Sequence, residues 1–147
     1  MEKNSKFGLV IFLFIFLIVG SIIPIAYSQL EEDDNEHIPV LLVHGYLNDK
    51  SVWDEWIEKL ERDGFNVQAV KFNGNDKCGS AANHAKQLKS IVEDFKTSTS
   101  SDKINIVGHS KGGLDARVYL ANDLANDDIA NLIMIGTPNA GSPRAEN

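Results

Sequence analysis

Short apolar runs separated by segments of helical period constrain this chain most. Val40-Leu41-Leu42-Val43 has no polar alternation, which marks a strand covered on both faces, as in a parallel sheet. Val67 to Phe72, Ile104-Asn105-Ile106-Val107 and Ile129 to Ile135 supply three further strands. Between the first two, Ser51 caps a helix with Asp54 three residues on as its capping-box partner. Trp53, Trp56, Ile57 and Leu60 share one face of it, and Gly64 stops it. At that spacing both tryptophans read as core. Asn73-Gly74-Asn75-Asp76 is turn chemistry. Ser80 opens a second helix with Ala81, Ala85, Leu88, Val92 and Phe95 on one face, and Thr97 to Asp102 is a polar loop. A third helix runs from Lys111 to Leu120. The order βαβαβαβ from Ile38 onward predicts an α/β fold: a parallel sheet with right-handed crossovers, flanked by helices.

Composition excludes several classes of function. Hydrophobic residues make up 43% and charged residues 24%, enough apolar surface for a globular core. Acids outnumber bases 21 to 14, for a formal charge of −7, and no Lys/Arg cluster opposes that field, which argues against a nucleic-acid partner. A single cysteine, Cys78, removes any intrachain disulfide or Cys-rich zinc site and is expected as a free, partly buried thiol. Neither GxxxxGK[ST] nor HExxH occurs. Asp123, Asp127 and Asp128 read as a polar loop without a calcium-ligand pattern. No metal and no cofactor are expected.

The N-terminus reads as a targeting segment. Lys3 and Lys6 precede an uncharged run from Phe7 to Ile23, Pro24 breaks it, and Ala26-Tyr27-Ser28 offers small residues for a cut before Gln29. The expected organisation is a signal peptide over 1–28, an acidic leader over 29–37 and a domain over 38–147, secreted. Left uncut, the run approaches the length that spans a bilayer and would hold the domain on the extracellular face of a membrane.

One hexapeptide carries chemistry. Gly108-His109-Ser110-Lys111-Gly112-Gly113 joins the third strand to the third helix, the context of a GxSxG nucleophile elbow. So tight a turn forces strained backbone angles on Ser110 and stands its hydroxyl at the strand tip. Gly108 and Gly112 sit where side chains would collide as helix folds back on strand. A nucleophilic serine also needs N–H donors aimed at the developing oxyanion. Lys111 offers one. Val43-His44-Gly45-Tyr46 offers the other through Tyr46, because the strand order 2-1-3-4 puts the switch point between the first and third strands.

These segments resemble the N-terminal part of an α/β-hydrolase of the secreted lipase/esterase kind. IPVLLVHGY, KINIVGHSKGGLDAR and NLIMIGTPNAGSP match in spacing and order and cover most of residues 38–143. The resemblance implies a partial α/β-hydrolase fold with about four strands and its C-terminal strands missing. It implies hydrolysis of a small-molecule or lipid ester through an acyl-enzyme on Ser110, with Tyr46 and Lys111 as main-chain oxyanion donors. The family's triad acid and histidine follow the nucleophile. No histidine follows Ser110 here: the four are His37, His44, His84 and His109. Where one branch places the acid after the fourth strand, this chain has Thr137. A truncated hydrolase is therefore expected. The rivals are an inactive remnant or binding module, and an acyltransferase, thioesterase or lipid-deacylase using the same serine.

Overall fold

A computed structural model describes residues 37–122 and 124–142, so the stretch expected to be a signal peptide, 1–28, and nearly all of the expected acidic leader, 29–37, lie outside the described residues. Four parallel strands form one sheet: β1 (Val40–Val43), β2 (Val67–Ala69), β3 (Ile104–His109) and β4 (Ile129–Ile135), in the order β2-β1-β3-β4. Three α-helices connect them: α1 (Asp54–Arg62), α2 (Ala81–Thr99) and α3 (Lys111–Ala121). Alternate side chains of β1 point to opposite faces, and both faces are covered. Leu41 and Val43 pack with Leu88, Val92 and Phe95 of α2 and Tyr119 of α3. Val40 and Leu42 pack with Trp53, Ile57 and Leu60 on the other side. β2 and β4 are the outer strands of this sheet, and on β4 Ile133 is 50% exposed. No helix among the described residues is long and apolar enough to cross a membrane.

Several local expectations are corrected. Asp49, not Ser51, caps the first helical segment, because a 3-10 turn (Lys50–Trp53) precedes α1; the Asp49 carboxylate accepts from the Ser51 N–H at 3.0 Å and its hydroxyl at 2.6 Å. Trp53 is buried but Trp56 is 46% exposed, the two rings meeting edge to face. The 3-10 turn breaks the helical period, so the two no longer share the inward stripe. β2 is shorter than the apolar run, although the Val70 N–H still donates to Leu42 O at 2.8 Å. Thr97 to Thr99 stay helical: the three hydroxyls donate back to carbonyls of Glu93 and Phe95, which lets polar residues end a helix. The turn out of α2 is made by Ser100 at φ +53°. Cys78 is exposed rather than partly buried.

Asp128 lies in the expected polar loop before β4 but is buried there, being only 5% exposed. It forms an ion pair with Lys96, and accepts from the Asn126 N–H at 3.0 Å and the Tyr119 hydroxyl at 3.3 Å. Burial pushes its carboxyl up, but Lys96 and the Asn126 and Tyr119 donors outweigh burial and hold it below the ordinary value of 3.8. Tyr119 moves the opposite way. Burial first, then the Asp128 charge, raises its phenol well above 10.0.

Candidate active site

Ser110 links β3 to α3 at φ +53°, ψ −122°. A β-carbon makes such angles unfavourable, and surrounding contacts must hold them. The Ser110 N–H donates to Ile135 O of β4 at 2.8 Å, and its carbonyl accepts from the Gly113 N–H at 3.2 Å. The close approach of helix to strand uses the glycines. A Cβ on Gly108 would lie 2.6 Å from the Gly113 backbone, and one on Gly112 2.6 Å from His44 O. Neither space exists in a folded backbone. Gly112 thus clears β1, the neighbouring strand, rather than β3 itself.

The loop after β1 meets Ser110. A Cβ on Gly45 would stand 2.9 Å from Ser110 Cβ and 3.1 Å from His109 O. The structure therefore brings the Gly45–Tyr46 peptide beside the elbow, as the strand order predicts. His44, 4% exposed, fixes that peptide: its Nδ1 lies 3.0 Å from Gly45 O. A carbonyl oxygen only accepts, so this nitrogen carries the proton. In a planar trans peptide the N–H points opposite to the C=O, so His44 also sets the direction of the Tyr46 N–H. Leu47 N–H donates to Lys77 O at 2.9 Å and Lys77 pairs with Asp49 at 2.8 Å, which ties the far side of the loop to the segment after β2. The Lys111 N–H opens α3 and has no acceptor within its helix.

The four histidines are engaged elsewhere. His37 stacks on Phe65 at 4.1 Å. His109 turns its ring edge-on to Trp53. His44 holds Gly45 O. His84, 1% exposed on α2, has Nδ1 2.8 Å from Asp115, while its Nε2 faces Asp76 at 3.5 Å. Both ring nitrogens thus look at carboxylates.

That last group was not anticipated from sequence. Lys111 Nζ reaches the Asp115 oxygens at 2.6 and 2.9 Å and lies 3.0 Å from His84 Nδ1. An ammonium and an Nδ1–H both donate to one carboxylate, so the lysine–histidine approach is a contact within a three-membered cluster. The i,i+4 spacing of Lys111 and Asp115 was available as a signal; the helix that brings His84 to them was not. Thr137, at the position of an acid in one branch of the resembling family, has a buried hydroxyl without a hydrogen-bond partner among the described residues.

Comparison with known proteins agrees with this architecture. The alpha/beta hydrolase fold family model matches residues 38–147. A triacylglycerol lipase of Pseudarthrobacter phenanthrenivorans is 33% identical over 114 residues, covering 74% of this chain and 35% of that protein. A triacylglycerol lipase of Burkholderia plantarii is likewise 33% identical, covering 74% of this chain and 31% of that protein. The chain thus spans about a third of the length of these curated relatives. Among solved structures, the mature form of Bacillus licheniformis lipase BlEst2 superposes with a TM-score of 0.67 at 22% identity, over 79% of this chain and 47% of that one. The parallel sheet in the order 2-1-3-4, the strained strand-to-helix serine and this family match together assign the chain to the α/β hydrolase family.

Proposed function

We propose that this protein hydrolyses carboxylic esters, small-molecule or lipid, with Ser110 as nucleophile. Ser110 Oγ attacks the ester carbonyl and its proton passes to a general base. The N–H groups of Tyr46 and Lys111 receive the oxyanion, the alkoxide leaves protonated, and water releases the acyl group from the serine. Gly108 and Gly112 make room for the turn. None of the four histidines is assigned as the base, since His44 is held on Gly45 O, His84 on Asp115, and His37 and His109 lie against Phe65 and Trp53. Residues 1–28 direct export, 29–37 form a solvated acidic leader, and 38–147 carry the hydrolase domain. The lipase relatives support the ester class.

The single observation that carries the proposal is the left-handed Ser110 backbone with Gly45 pressed against it. The test is labelling of the full-length protein with a fluorophosphonate, alongside hydrolysis of p-nitrophenyl esters. Rapid labelling and hydrolysis that both vanish in Ser110→Ala support the assignment. Labelling no faster than that of free serine would favour a non-catalytic remnant. Acyl transfer to an added alcohol in preference to water would favour an acyltransferase.

A further inference from the structure

We propose that Asp115 is a positioning residue for the oxyanion pocket, acting through Lys111 and His84; this rests on the nucleophile assignment of Ser110. Asp115 is 1% exposed and lies one turn beyond Lys111 on α3. A carboxylate at that depth is strongly unfavourable unless paired, and well-packed apolar side chains are often no less stable there. The pairing has a consequence that apolar side chains would lack. Lys111 contributes its main-chain N–H to the pocket, and its side chain is turned inward and held on both Asp115 oxygens. The first peptide of α3, next to the strained Ser110, is thereby restrained from both sides.

The restraint reaches the second donor through continuous contacts. His84 joins Asp115 at 2.8 Å and stacks on Phe72, centroid to centroid 3.7 Å. Phe72 meets the edge of His44 at 5.3 Å, and His44 holds Gly45 O. Lys111 and Tyr46 stand on different loops, yet one buried chain of side chains, Asp115–His84–Phe72–His44, spans the gap between them. Loosening it at Asp115 misaims a donor without deleting it.

The experiment compares full-length wild type with Asp115→Asn and Lys111→Gln, measuring kcat and KM on p-nitrophenyl butyrate per active site, counted by fluorophosphonate titration to completion. Titration removes the effect of a smaller folded fraction. Each variant is expected to lose about tenfold to a hundredfold in kcat per titrated site, with KM changed less than about threefold. The double variant should be little worse than either single one, and Lys111→Arg, which keeps a cation against Asp115, should recover most of the loss. Should Asp115→Asn not fold, Lys111→Gln carries the test, because Lys111 is partly exposed and its N–H remains. Unchanged kcat per titrated site would make Asp115 a stability residue only and overturn the proposal. Ester hydrolysis surviving in Ser110→Ala would overturn the nucleophile assignment, and this proposal with it. A dead Ser110→Ala beside fully active Asp115 and Lys111 variants overturns this proposal alone.

Discussion

A β-carbon placed on Gly45 would sit 2.9 Å from the β-carbon of Ser110, although the two residues belong to loops after different strands. Real side chains do not tolerate that separation, and neither neighbour is the free end of a flexible chain. Gly45→Ala therefore has to push the Tyr46 loop away from the elbow. The expected result is native circular dichroism, a loss of about 1–3 kcal/mol in stability and fluorophosphonate labelling slowed about a hundredfold. Labelling at the wild-type rate would show that the loop position does not matter to Ser110.

Ser110 itself stores strain. Glycine adopts φ +53° without the β-carbon penalty, so Ser110→Gly should be more stable to urea than Ser110→Ala by about 1 kcal/mol, with neither labelled. The comparison removes the hydroxyl from both proteins and leaves the backbone as the variable. Equal midpoints would mean that the turn is relaxed.

Asp128 should govern acid stability. Its carboxyl is depressed in the folded protein, so its contribution is fully present above the unfolded value of 3.8 and is lost as pH falls through the lower folded value. Asp128→Asn is expected to lose about 2–3 kcal/mol at pH 7, because Lys96 and Tyr119 are left facing a neutral amide. Urea midpoints measured from pH 7 to pH 2 should converge for variant and wild type at the acid end. Parallel curves would argue against the ion pair.

Tyr119 predicts the opposite limb. Its phenol is raised in the fold by burial and by Asp128. Above 10.0, therefore, the unfolded chain ionises while the folded one resists, and stability falls with rising pH. Tyr119→Phe should lose about 1 kcal/mol at neutral pH and show a shallower alkaline decline. An unchanged alkaline slope would place the titration on another group.

What was legible in the sequence was local or periodic. The continuous Val40–Val43 run announced a strand buried on both faces, and the glycines around Ser110 announced the turn, because each effect acts within a few residues. What was not legible depended on distant partners. Trp56 keeps helical spacing with Leu60, but the 3-10 turn before α1 breaks the period, so Trp53 joins Ile57 and Leu60 in the core and Trp56 is left exposed. Thr97 to Thr99 look like a loop until their hydroxyls find carbonyls one turn back. Asp128 looks solvated because its cation lies on another helix, and the Asp115 cluster was hidden for the same reason: charge spacing on α3 reveals one pair, while burial and His84 come only with α2.

The neighbour relation of β1 and β3 also bears on how the protein acquires its reactivity. The chain leaves β1 for α1, β2 and α2 before β3 returns to pair with it. Closing so wide an excursion carries a large entropic cost, and pairings of that range form slowly. The helices and the β1–β2 unit can gain structure before Gly45 ever meets Ser110. In a refolding experiment, far-ultraviolet ellipticity should recover first and probe-reactive serine last, so that Ser110 serves as a chemical clock for the final strand pairing.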